Sequence, residues 1–188
     1  MILLQMLPYS KFLLSSAINL GDTVIDATCG NGQDTLFLST LVGQNGSVVS
    51  FDIQDLAIEN TKLLLKKHNI NNVRLIQDSH HNVDLYVNHS ISGAIFNLGY
   101  LPKGDHSITT LADTTISSLT KILGLLKING IAVVVVYHGH NNGKLERDKL
   151  LSFGASLNQH KFNVLQYLFI NQQNDAPFII AFEKIKHC

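Results

Sequence analysis

The residues able to do chemistry in this chain sit where apolar runs stop. "TVIDAT" gives way to Cys29-Gly30-Asn31-Gly32, two glycines where a buried strand turns into a helix. Glycine there lets backbone approach a ligand closely and leaves a helix N-terminus open to it. The second run, "GSVVSFDI", reaches Asp52 about twenty residues past the glycines, where a carboxylate can accept both hydroxyls of a ribose. The third ends Gln77-Asp78-Ser79-His80, polar groups suited to an adenine ring and its amino group. The third glycine of the dinucleotide fingerprint is missing, Thr35 standing in its place, so a pyrophosphate fits poorly. Any one of these aspartates alone is better read as a helix cap or a solvated group. Three polar strand ends in register point instead to a nucleoside-containing ligand. A fourth apolar run ends "AIFNLGYLPKGDH", so Asn97, Tyr100 and Asp105-His106 follow a segment that ought to be buried.

Such residues need a frame that brings strand ends together. From Thr23 the pattern alternates between short β-branched runs and stretches of helical spacing. Strands are expected at "TVIDAT", "GSVVSFDI", "NVRLIQD", "SGAIFNL" and "GIAVVVVYH". Helices are expected at "DTLFLSTLV", "DLAIENTKLLLKKHNI" and "TTLADTTISSLTKILGLL", and from about Gly143 to Gln159. The second of these helices places Leu56, Ile58, Leu63 and Leu64 on one side. The fifth strand is apolar on both faces and belongs in the middle of a sheet. "FNVLQYLFIN" and "PFIIAFEKI" flank "QQNDA" and read as a hairpin. Five β–α repeats and a hairpin give an α/β fold, a mostly parallel sheet with helices on both faces. In such sheets ligands bind beyond the carboxyl ends of the strands. The expectation is one domain, 1–188, with the N-terminal segment 1–20 packed on it as an amphipathic helix from about Ser10 to Asn19.

Composition sets outer bounds. The 188 residues are 45% hydrophobic and 15% charged, with no Trp and three Pro, which excludes a disordered chain. Lys+Arg and Asp+Glu are 14 each, so no global positive charge advertises nucleic acid, although local patches remain open. Two cysteines, Cys29 and Cys188, suggest neither a disulfide framework nor a zinc site, and a cytoplasmic setting is expected. The opening "MILLQMLPYSKFLLSSAINL" is broken by Pro8, Ser10 and Lys11 and is too interrupted to span a bilayer. No metal is expected, His138-Gly139-His140 lacking a third ligand at a clear spacing.

Taken together, "DATCGNGQDTLFL", "FDIQ", "QDSHHN", "FNLGYLPKGDHSITT", "VVYHGHNNGKLERD" and "FINQQNDAPFIIAFEK" resemble the YtqB-like group of class I S-adenosylmethionine-dependent methyltransferases, a group labelled rRNA methylases. The resemblance runs from about Asp22 to Lys184, and its most specific parts are "NLGYLP-x-GDH" and "Y-x-GH". The chain departs from the group at Lys103, where Gly is usual, and at Asp175-Ala176-Pro177, where Asn-Pro-Pro is usual. The resemblance implies a Rossmann-like, seven-stranded sheet of order 3-2-1-4-5-7-6 with an antiparallel hairpin strand. It implies S-adenosyl-L-methionine as cofactor and a tRNA anticodon loop as partner, the amine of wobble 5-aminomethyl-2-thiouridine being methylated. It also implies site residues: Asn31, Gly32, Asp34 and Thr35 at the methionine end, and Asp52 and Gln54 on the ribose and adenine edge. Asp78, Ser79 and His80 would meet the adenine, and Asp26 would approach the amino group through water. Other readings stay open: another RNA such as rRNA, a small-molecule amine, or an S-adenosylmethionine-binding protein without turnover.

Methyl transfer from a sulfonium is an in-line displacement, so it needs placement of the nucleophile, worth on the order of 7–11 kcal/mol when complete. The side-chain carbonyl of Asn97 and the main-chain carbonyl of Leu98 are two acceptors able to grip amine hydrogens and aim the lone pair. Tyr100 can stack on a flat base. His106 is the nearest candidate base, with His138 and His140 as others. A C5-pyrimidine methyltransferase needs a nucleophilic cysteine, and Cys29 and Cys188 are poorly placed. No strand-four lysine is available to activate a ribose hydroxyl. The catalytic set expected is therefore Asn97, Tyr100 and His106, for N-methylation. A homodimer through the N-terminal helix or the C-terminal hairpin is a further expectation.

Overall fold

Apolar runs that alternate with amphipathic stretches can bury both surfaces only as a sheet between two helix layers. The computed structural model has this form and describes residues 2–99, 111–139 and 141–186, excepting the side chains of 141 and 142. In order it contains α1 (Met6–Ala17), β1 (Thr23–Asp26), α2 (Gln33–Val42), β2 (Ser47–Asp52), α3 (Asp55–Lys67) and β3 (Val73–Gln77). A short 3-10 helix (His80–Leu85) then leads to β4 (Ile91–Asn97), α4 (Ala112–Leu125), β5 (Leu126–Val136), α5 (Asn141–Ser156), β6 (Phe162–Tyr167) and β7 (Phe178–Lys184). The seven strands lie in the order β3-β2-β1-β4-β5-β7-β6, as the resemblance implied. All pairs are parallel except those of β7, which runs antiparallel to both β5 and β6.

Two cores hold the layers. On one face Phe51, Phe96 and Phe182 pack with Leu119 and Ile122 of α4 and Leu150 of α5. On the other, Val24, Val48, Ile95 and Val133 pack with Leu14 of α1 and Leu38 of α2. β5 feeds both: Ala132, Val134 and Val136 point one way and Ile131, Val133 and Val135 the other. Side chains that alternate across a strand lined on each face by core explain why Ile131–Val136 shows no polar position.

The register brings the polar strand ends onto one edge. Asp26 stands opposite Ser50 and Ile95, Asp52 opposite Gln77, and Asn97 opposite Val135.

Several expectations shift. α1 starts at Met6 rather than Ser10, because Pro8 falls in its first turn, where no amide hydrogen is required. α5 likewise starts at Asn141, ahead of Gly143. β5 begins at Leu126 instead of Gly130: Leu126 pairs with Ile91, and the register then slips before Gly93 meets Ile131. Asn129, at φ +63°, absorbs the slip. The hairpin strands are shorter than their apolar runs, and Leu168 and Ile170 lie exposed beyond β6. The expected apolar face of α3 is overturned. Leu56 and Leu63 are exposed, and the helix buries Ala57, Thr61 and Leu65. Where Thr61 meets Gly32 of the glycine turn, there is room only for a small side chain.

Candidate active site

The cofactor side of the edge is built where β1 stops. Gly30 and Gly32 have φ of +51° and +80°, conformations that L side chains rarely adopt. A Cβ on Gly32 would lie 2.9 Å from Oγ1 and 3.0 Å from Cα of Thr61, so α3 closes one wall of the turn. The Thr61 hydroxyl donates to the Gly30 carbonyl at 3.0 Å. The Gly30 amide donates to Oδ2 of Asp52 at 3.0 Å, and the Gln54 amide to Oδ1 at 3.0 Å. Burial holds the Asp52 carboxyl above its usual range, against those two amides. With the Ile53 amide also bonded to it, the carboxylate still has acceptor capacity left for a sugar hydroxyl. Asn31, exposed at the turn, accepts from Asn60 at 3.0 Å. An open glycine turn beside a partly exposed carboxylate fits a nucleoside cofactor by its donor set.

Beneath the turn lies a second, hidden carboxylate. Asp26 is 1% exposed; its Oδ2 accepts the Thr35 hydroxyl at 2.6 Å and its Oδ1 the Thr28 amide at 3.2 Å. Burial first, and the Asp34 charge second, push its carboxyl up to about 7. Thr35 is fully buried, and its side chain orients Asp26 beneath the turn. His80 is buried too, in the 3-10 helix rather than an extended segment. Its Nδ1 lies 3.1 Å from the Ala27 carbonyl, its ring meets Phe96 edge-on at 5.6 Å, and burial pushes it down to about 4. It is a neutral imidazole under the site, its Nε2 buried without a hydrogen-bond partner. Asp78 has protein donors at all four lone-pair positions: the Ser79 amide, Asn82 to both oxygens, and the Tyr86 hydroxyl. An adenine amino group there would have to share one of them. The Ser79 hydroxyl, which accepts from the His81 amide, keeps its proton for a ligand.

The acceptor side is carried by β4. The Asn97 amide donates to Oγ1 of Thr28 at 2.7 Å, and its Nδ2 donates to Oδ2 of Asp34 at 3.2 Å. Asp34 sits in the first turn of α2, and Lys11 of α1 lies 4.0 Å from its Oδ1 and 5.2 Å above the Phe37 ring. Gly99, at φ +131°, leads the chain away; a Cβ there would lie 3.8 Å from Cβ of Tyr137. Tyr137, just past β5, has its phenol raised by burial and by the Asp34 charge. Tyr100, Lys103, His106 and His140 lie outside the described residues. His138 is turned to the hairpin loop: Nε2 is 3.0 Å from the Ala176 carbonyl and Nδ1 3.6 Å from Oδ1 of Asp175. Lys144 joins Asp175 at 3.5 Å. The Nε2 of His138 ties it to that loop, and its Nδ1, buried and without a hydrogen-bond partner, faces the loop's Asp175 and not Asn97. Cys29 is buried, its thiol pushed well above the usual range by burial and by Asp26, which removes it as a nucleophile. Among the described residues no group of three His, Cys, Asp or Glu could hold a metal.

The sheet order, the glycine turn and the carboxylate at the next strand end define a methyltransferase of the S-adenosylmethionine-dependent class. A family model described as "Putative rRNA methylase" matches residues 48–183, and the chain belongs to that family. A structure described as a putative rRNA-methylase from Clostridium thermocellum is 46% identical, covers 98% of this chain and 100% of its own, and superposes with a TM-score of 0.97. A methyltransferase from Streptococcus mutans, solved in complex with SAH, is 39% identical, with coverage of 98% and 100% and a TM-score of 0.91. Among curated proteins, the "tRNA (mnm(5)s(2)U34)-methyltransferase, chloroplastic" of Arabidopsis thaliana is 37% identical over 178 residues. That alignment takes in 89% of this chain and 65% of the relative's own length.

The structure adds Thr28, Thr61, Tyr137 and Lys11 to the site, none of them singled out from sequence. Tyr137 carries the signal that exposed Asn97, a polar-tipped residue directly after the apolar run Ile131–Val136. Lys11 carries none, since α1 meets α2 only in the folded chain.

Proposed function

We propose that this chain is an N-methyltransferase that converts wobble 5-aminomethyl-2-thiouridine of tRNA to its 5-methylaminomethyl form. The observation that carries the reading is Asn97 at the ligand edge with its NH2 end taken by Asp34. Its Oδ1 is left to accept from a substrate amine, and the name of the Arabidopsis relative supports such an acceptor. When bound, S-adenosylmethionine supplies an electrophilic methyl carbon. The chain's own residues place the reactants: Asp52, Gln54 and Ser79 with the glycine turn orient the nucleoside, while Oδ1 of Asn97 and the Leu98 carbonyl hold the amine hydrogens. Tyr100 serves as a stacking face for the base, and His106 as a proton acceptor.

The test is nucleoside mass spectrometry of tRNA from cells lacking the gene, with purified protein added back. Accumulation of the aminomethyl nucleoside, and its conversion in vitro, is the expected result; its absence overturns the tRNA reading. Asn97→Ala should lose methyl transfer and keep cofactor affinity, whereas Asp52→Ala should mainly lose cofactor affinity. Binding to an anticodon stem-loop should weaken steeply with salt if phosphates are contacted.

The working form proposed is a homodimer of one-domain subunits in the reducing cytosol. β6 is an edge strand with Val164 and Leu165 exposed, Leu168 is exposed just beyond it, and Phe12 of α1 is exposed as well. A monomeric mass by light scattering would refute the dimer.

A further inference from the structure

An amide side chain looks alike from either end, and only one end of Asn97 can accept from an amine. Asp34 decides which. An ionised carboxylate has no hydrogen to give, so only the NH2 end of Asn97 can face it, at 3.2 Å from Oδ2. The flipped amide would set Oδ1 against that oxygen and forfeit a hydrogen bond to a charged group. The Asn97 main chain is held independently, its amide on Thr28 Oγ1 at 2.7 Å, so the amide end alone is left for Asp34 to fix. Asp34 is itself placed from two sides. It sits in the first turn of α2, where the helix dipole favours a negative charge, and Lys11 of α1 flanks its second oxygen at 4.0 Å. Its side chain is only 14% exposed, so water competes poorly for the contact.

We propose that Asp34 is a positioning residue for the methyl acceptor: it selects the Asn97 orientation in which Oδ1 faces the incoming amine, and does not act on the cofactor. The inference rests on the amine-acceptor reading above and differs from the methionine-end role implied by the resemblance. Losing one hydrogen bond to a charged group corresponds to roughly 10- to 100-fold in rate when the bond matters only for the transition state.

The experiment compares Asp34→Asn, Asp34→Ala, Asn97→Ala and the Asp34→Ala/Asn97→Ala double variant. Single-turnover methyl transfer to aminomethyl-thiouridine tRNA is read beside S-adenosylmethionine affinity by calorimetry. Asp34→Ala should lower the transfer rate at least tenfold and change cofactor affinity less than about threefold. Asp34→Asn, which can still accept from Asn97 but no longer forbids the flip, should fall between it and the wild type. The double variant should be no slower than Asn97→Ala, because a residue acting through Asn97 has nothing further to lose. A large loss of cofactor affinity with an unchanged transfer rate, or additive losses in the double variant, would overturn the inference. A second readout needs no acceptor: the 15N side-chain amide signals of Asn97 in the SAH complex should shift in Asp34→Ala. Unchanged signals also overturn the inference, whatever the substrate. A wild-type protein inactive on the tRNA refutes the acceptor reading alone, and the amide signals then decide the role of Asp34.

Discussion

Replacing Asp26 by Asn should make the unliganded protein more stable at neutral pH and less stable relative to wild type in acid. The carboxyl is raised from 3.8 to about 7 by burial and by Asp34, so the folded state holds a proton that the unfolded state releases. For a group raised on folding, stability falls as pH rises from the unfolded to the folded value. The window is therefore about pH 4 to 7, and the full cost is (7 − 3.8) × 1.36, about 4 kcal/mol. His80 works in the opposite sense within nearly the same window. Its imidazole is lowered from 6.5 to about 4, so the unfolded state binds the extra proton and stability rises with pH. That slope is worth (6.5 − 4) × 1.36, about 3 kcal/mol, and largely masks the Asp26 effect in the wild type. The variant isolates it. An Asn at this position accepts the Thr28 amide through its oxygen and donates to Thr35, whose own hydroxyl can turn to Ser50 at 3.1 Å. Urea denaturation at pH 4.5, 6, 7 and 8 should give a variant-minus-wild-type difference that grows by about 3 kcal/mol across the series, the first part of the change lying below pH 4.5. At pH 8 the variant should melt above wild type, and at pH 4.5 below it. Parallel pH profiles for the two proteins would refute the assignment of a protonated, buried Asp26.

Three further outcomes follow from the geometry. Gly32→Ala sets a Cβ against the Thr61 main chain at φ +80° and should cost about 1–3 kcal/mol, with weaker cofactor binding by calorimetry; an unchanged melting curve would contradict the close approach. Lys184→Met removes an ammonium, 4% exposed, that donates to the Leu123 and Gly124 carbonyls at the end of α4, and should cost about 1–3 kcal/mol in urea titration. His138→Phe releases the Ala176 carbonyl and Asp175, so the loop between β6 and β7 should exchange its amide hydrogens faster while β5 and β7 stay protected.

The parts of this fold that sequence made visible are those whose burial is set by a periodic pattern. β2, β4 and β7 were readable because their apolar runs face core on both sides. α4 was readable because Thr115, Leu119, Ile122 and Leu123 recur at helical spacing. The buried face of α3 was not, since at Thr61 it meets Gly32 of the glycine turn, where only a small side chain fits, and hydropathy ranks Leu56 and Leu63 above Thr61. The burial of His80 was not legible for a local reason: the Ser79 hydroxyl caps the chain into a 3-10 turn and sends His80 inward. In the site, Asn97 stood out as a polar residue ending a buried strand. Its partners did not, because Asp34 and Thr28 lie 63 and 69 residues away and meet it only through the sheet.

The position of β7 carries a consequence for how the chain comes together. β5, the most apolar strand, is flanked on one side by β4, made before it, and on the other by β7, made after α5 and β6. While the chain emerges from the ribosome, that second edge is an open row of amides and carbonyls beside a Val-rich surface, the kind of edge that recruits other strands. Residues 178–184 close it, and Lys184 completes the end of α4 in the same stroke. A nascent chain stalled before β7 should therefore be a holdase client with its nucleoside edge already drawn, and a chain released after it a finished sheet.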